Sequence, residues 1–162
     1  MSIEIDIQIA SEFEPLPTEA QLTHWATAVL EQQQRPGNMT IRIVDEGEIT
    51  ELNHQYRGKQ KPTNVLSFPM EAPSEEELAL LGESDTLLGD IIICASVVAS
   101  EAIAQGKPYE AHFAHMVVHG TLHLLGYDHV TEALANVMEP LEIEILSSMQ
   151  FTNPYEAKHS HE

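Results

Sequence analysis

Isoleucines at positions 3, 5, 7 and 9 alternate with polar residues, which is the two-residue period of a strand with one buried face. Pro15 and Pro17 break that pattern, and Thr18 then stands where a helix cap belongs. Leu22, Trp25, Val29 and Leu30 follow at helical spacing as far as about residue 34. Arg35-Pro36-Gly37 ends this helix. Residues 40–44 read as a second strand, and residues 46–56 as a short helix carrying Ile49 and Leu52 and closed by Gly58. Residues 63–68 are β-branched and aromatic and run into Pro69, which predicts a third strand. An acidic connection over residues 69–86, with one helical turn expected in it, leads to a fourth strand at 87–94, interrupted by Gly89. From Ala95 the pattern is helical: 95–105, 109–125 and 132–149, with Pro140 expected to kink or split the last helix.

Strands and helices interleave early and helices dominate late. That order predicts an α+β fold, a small mixed β-sheet of about four strands with helices packed on it. At 162 residues the chain fits a single domain, 1–162, with residues 155–162 expected to form a flexible tail. No internal repeat or linker-like stretch divides it. The start of the chain has neither a basic region nor an unbroken apolar run, and nowhere do about 18 apolar residues follow one another, so the reading is a cytoplasmic chain with no membrane partner. The lone Cys94 cannot form an internal disulfide; at the end of an apolar strand it reads as a small buried hydrophobe rather than a metal ligand.

The candidate chemistry is concentrated in HGTLHLLGYDH, residues 119–129. His119 and His123 are four apart in a helical pattern, so both rings leave one face. Gly126 lets the chain leave the helix through a left-handed conformation, and Tyr127-Asp128 turns His129 back toward the same face. A pair of histidines on a helix is weak evidence, but the third at this spacing makes a ligand set. Three neutral imidazoles around one Zn²⁺ per chain leave a position for water, the arrangement of catalytic zinc. His112 and His115 extend the stripe: His112 reads as a surface or sheet-packing residue, and His115, one turn from His119, as a possible support for the ligands. His159 and His161 fall in the polar tail. Asp128 either orients an imidazole or caps the turn, and Asp90 on the last strand is a comparable unassigned carboxylate.

The same spacing of His119, His123, Gly126 and His129 is that of the metzincin proteases, HExxHxxGxxH. In those enzymes a glutamate after the first histidine is the general base, whereas here that position is Gly120. A metalloprotease lacking this base would lose about 10² to 10⁴ in rate.

Charge adds a second element. With 26 acidic and 7 basic residues the net charge is −19, which disfavours a polyanionic partner over most of the surface. Yet Arg57, Lys59 and Lys61 lie within five positions, a local cluster that by charge alone reads as a solvated basic turn.

Taken together, HGTLHLLGYDH, YRGKQKPTNVLSFP at 56–69 and LLGDIIIC at 87–94 resemble the YbeY family of bacterial single-strand endoribonucleases over most of the chain. The resemblance implies a zinc-dependent hydrolase acting on single-stranded RNA, in maturation of the 3′ end of the 16S rRNA precursor and in ribosome quality control at the small subunit, with no DNA partner expected. It maps the family's metal ligands onto His119, His123 and His129 and its functional arginine onto Arg57. Lys59 and Lys61 would then hold flanking phosphates, with Asn64 and Ser67 adding neutral contacts. Pro140 departs from the family's pattern, outside the site. A metzincin-like protease and a noncatalytic zinc-bearing ribosome-binding module are the alternatives.

Overall fold

The computed structural model describes residues 2–70, 76 and 86–155. In chain order the described elements are β1 (Ile3–Ala10), α1 (Glu19–Gln32), β2 (Gly37–Val44), α2 (Glu46–Arg57), β3 (Val65–Pro69), β4 (Leu87–Cys94), α3 (Ala95–Gln105), α4 (Tyr109–Leu124) and α5 (Glu132–Ser148). The expected α+β class holds. Four strands form one mixed sheet in the order β1-β2-β4-β3. β1, β2 and β4 run parallel, with Ile7, Ile41 and Ile91 side by side in register, and β3 pairs antiparallel with β4. The acidic connection predicted over 69–86 lies, apart from Pro69, Met70, Glu76 and Thr86, outside the described residues.

Local signals set the helix ends. Thr18 and Gln21 form a capping box at α1, the Thr18 hydroxyl accepting from the Gln21 amide at 3.0 Å and the Gln21 side chain accepting from the Thr18 amide at 2.9 Å. Gly58 closes α2 at φ +71°, a left-handed cap that leaves Arg57 at the helix end. α5 runs through Pro140 as one helix, so the split, one of the two outcomes expected there, does not occur. Pro140 and Asn136 are both exposed, so the carbonyl that loses its helical donor faces water, while Met138, Ile145 and Leu146 hold the helix to the core.

The sheet is covered unequally. On one face Ile41, Ile91 and Ile93 pack with Phe113, Val117, Val118 and Leu122 of α4, flanked by Leu22, Trp25 and Val29 of α1 and by α5. On the other, among the described residues, α2 packs over part of the sheet, where Ile49 meets Val44, Leu66, Ile92 and the buried Cys94. α4 thus lies deep in the molecule, and eleven of its residues are buried. Its depth makes it a rigid platform for whatever its one accessible side carries.

Gly89 has φ +133°, and a β-carbon there would sit 2.3 Å from the Phe68 carbonyl oxygen on the paired strand. Backbone, not a flexible side chain, is in the way. Gly89→Ala is therefore expected to cost roughly 3 kcal/mol, lowering the melting temperature by about 6 to 12 °C in a calorimetric scan.

Candidate metal centre

His115, His119 and His123 share one side of α4, at spacings of four, and their rings succeed each other edge to face, 6.0 Å and then 4.7 Å between centroids. The chain leaves α4 at Leu125 and passes through Gly126 at φ +102°. The turn is then fixed three ways: the Tyr127 amide donates to the Leu122 carbonyl at 3.1 Å, the Tyr127 hydroxyl donates to Gln33 Oε1 at 2.6 Å, and the His129 amide donates to Asp128 Oδ1 at 2.6 Å. These bonds bring the His129 ring within 4.8 Å of His119 and 5.1 Å of His123, centroid to centroid. One ligand nitrogen from each of the three lies within 4.8 Å of the others. Three imidazoles with converging nitrogens and no intervening cation fit a borderline-soft divalent metal such as zinc.

Electrostatics favour the neutral rings that a metal requires. Burial, then the neighbouring His119 and His129, lowers the His123 pKa to about 4, so this imidazole keeps its lone pair near neutrality.

Behind the ligands sits a carboxylate that sequence reading missed. Glu142 of α5 is fully buried, and its Oε2 lies 2.5 Å from His119 Nδ1. Its Oε1 is 3.3 Å from His115 Nε2 and also accepts from the Tyr155 hydroxyl. Burial alone would raise its pKa, but hydrogen bonds with His115 and His119 outweigh that and bring it down to about 2. Tyr155 shifts the opposite way, its hydroxyl held protonated by burial and by the bond to Glu142. A usable signal for Glu142 was present: it occupies the apolar stripe of α5, with Met138, Ile145 and Leu146 at helical spacing, where a charge demands a partner. His115, His119 and Glu142 are themselves close enough to be a second possible ligand group. Tyr155, placed at the start of the predicted tail, is engaged in the centre, and residues 156–162 lie outside the described residues.

The three histidines open onto a cavity of about 530 Å³ that Arg57, Asn64, Ser67 and Tyr155 also line. Arg57 thus reaches the histidine cavity from the end of α2. Lys59 and Lys61 are exposed on the turn before β3 and do not line it. Asn64 instead donates to Glu101 at 3.1 Å, and the Ser67 hydroxyl donates to the Gly120 carbonyl at 3.0 Å. His112 is not the surface or sheet-packing residue expected: it is buried between α4 and α3, its Nε2 2.9 Å from Glu101, because α3 rather than the sheet covers that part of the stripe. Asp128 serves the turn, since its bond is to the His129 amide while the His129 ring nitrogen is 3.9 Å away. Asp90 lies elsewhere, in a larger concavity of about 770 Å³ over the open half of the sheet, with Glu4, Asp6, Asn38 and Thr40. That concavity is larger but chemically poorer, its described lining offering carboxylates and neither imidazole nor guanidinium.

Gly120 explains the missing protease glutamate. A β-carbon there would meet Ile91 Cγ2 at 3.1 Å and Val65 Cγ2 at 3.2 Å. Position 120 therefore presses on the sheet, where a glutamate would have to displace core side chains.

The solution structure of TM1509 from Thermotoga maritima is similar, with a TM-score of 0.54 and 26% sequence identity, covering 96% of this chain and 99% of the other. A family model described as endoribonuclease YbeY matches residues 6–150, from the first strand to the end of α5, so the chain belongs to the YbeY endoribonuclease family.

Proposed function

We propose that this protein is a zinc-dependent endoribonuclease specific for single strands, acting in the cytoplasm on the 3′ end of the 16S rRNA precursor and in ribosome quality control at the small subunit. Membership of an endoribonuclease family gives the class of reaction, RNA cleavage. The finer reading rests on one observation: the imidazoles of His119, His123 and His129 share a cavity with the guanidinium of Arg57.

A zinc ion held by the three imidazoles supplies Lewis acidity and a water of lowered pKa. Arg57 is the residue suited to the substrate. Its planar, permanently charged fork donates two parallel bonds to phosphate oxygens and meets the negative charge that grows there during phosphoryl transfer. Lys59 and Lys61, outside the cavity but on the same turn, would hold neighbouring phosphates as the strand leaves it. None of these contacts reads a base, in keeping with a substrate recognised by its backbone. The −19 net charge then has a use: it disfavours nucleic acid over most of the surface, against which the cluster of Arg57, Lys59 and Lys61 stands out.

A metzincin-like protease is disfavoured by the packing at Gly120, and a noncatalytic zinc module by the open cavity beside the ligands. Purified protein is expected to cleave single-stranded RNA, to lose this activity in chelator and regain it with added zinc, and to leave an unfolded protein substrate intact. Cleavage of the protein and not the RNA would reinstate the protease reading; binding to small ribosomal subunits without any RNA cleavage would favour the module.

A further inference from the structure

We propose that Glu142 is a positioning residue for the metal centre, fixing His119 in the tautomer that coordinates, and that Tyr155 and His115 hold Glu142 in that role. The inference rests on the three-histidine metal site proposed above.

Glu142 is an expensive residue for its location. It stands in the apolar stripe of α5 with no exposed surface, where a leucine or methionine would pack without any charge to satisfy. What it gains there is contact with three groups, all belonging to the cavity: the His119 and His115 rings and the Tyr155 hydroxyl. The bond to His119 Nδ1 has a definite consequence. A ring that donates its Nδ1 proton to a carboxylate carries its lone pair on Nε2, the atom left to face His123 and His129. Orientation is fixed with the tautomer, because α4 is rigid and the bond removes the remaining ring rotation.

The other oxygen of Glu142 is restrained from the C-terminal segment. The Lys107 ammonium donates to the Pro154 carbonyl at 2.8 Å, and Phe151 stacks edge-on against Trp25 at 6.1 Å, so the chain is brought back across α5. Tyr155 then donates to Glu142 while its ring lies edge to face with His115, 5.3 Å between centroids. A carboxylate restrained at both oxygens cannot swing away from His119.

Two other readings use the same residues. Glu142 could serve only to anchor the C-terminal segment, or His115, His119 and Glu142 could bind a second ion. Metal binding by the full-length protein separates them. Wild type, Glu142→Gln and Tyr155→Phe are stripped of metal, and zinc affinity is measured by competition with a chromophoric chelator, with metal stoichiometry, metal-free melting temperature and the visible spectrum of the cobalt-substituted form. Glu142→Gln keeps the size and an acceptor but loses the charge, and is expected to bind one zinc about 10- to 100-fold more weakly, with a shifted cobalt spectrum. Tyr155→Phe, at a partly exposed position, should weaken zinc several-fold and leave the metal-free melting temperature near wild type. Should Glu142→Gln fail to fold, the Tyr155→Phe affinity decides alone. Unchanged zinc affinity and cobalt spectrum would overturn the proposal in favour of an anchor. Two ions in wild type and one in Glu142→Gln would overturn it in favour of a ligand. A wild type that takes up no zinc would instead remove the three-histidine reading on which it stands.

Discussion

Alanine at His119, His123 or His129 is expected to strip the protein of its metal and, with it, of RNA cleavage. In the proposed site each ring would supply one of three protein donors, and a site of three loses on the order of 10²-fold or more in affinity with each donor removed. Elemental analysis should find close to one zinc per wild-type chain and little in any of the three variants. His112→Ala is the control on the same helix. Its ring is turned to Glu101, so this variant should lose stability and keep its metal. Full metal content in the three ligand variants would show that the convergence of these rings has another purpose.

The second large effect is expected at Arg57. Removing a charged donor that stabilises transition-state charge commonly costs about 10² to 10³ in rate, roughly 2.7 to 4 kcal/mol. Arg57 is exposed at the end of α2 and touches no ligand histidine by any bond, so Arg57→Ala should retain zinc and melt close to wild type. Its loss of favourable charge at a helix C-terminus is worth only about 0.3 to 1 kcal/mol. Lysine at this position restores charge without the fork and should recover part of the rate. Lys59→Ala and Lys61→Ala should act mainly on affinity, each making binding less sensitive to salt. Cleavage at the wild-type rate by metal-loaded Arg57→Ala would leave the basic turn as solvated surface.

What could be read in advance follows the reach of local rules. The period of Ile3 to Ile9, the Thr18 cap, and Gly58 and Gly126 at helix exits depend on neighbours within a turn or two, and the elements appear where those signals put them. The histidine group is of the same kind, because a helix and one tight turn complete it. Sheet order was beyond reach, since nothing local tells β4 to insert between β2 and β3. His112 was misread for a similar reason: helical spacing gives the face of a residue but not which element will cover it. Pro140 does not split α5, because the cost of proline depends on whether the freed carbonyl meets water. Glu142 is of the legible kind, since its place among Met138, Ile145 and Leu146 marks it as a charge inside a core.

The position of α5 bears on when the protein can function. Met138, Ile145 and Leu146 complete the core around α4, and Glu142 and Tyr155 reach the histidines from residues that a ribosome makes after α4. Until they arrive, α4 has a face open to water and His119 has no carboxylate behind it. Chains acquire structure from the N-terminal side as they are synthesised, at about 5 to 20 residues per second. If the proposed centre is the cutting site, it stays unfinished for about 1 to 5 s after His129 is made, and the order of synthesis itself delays the assembly of the blade.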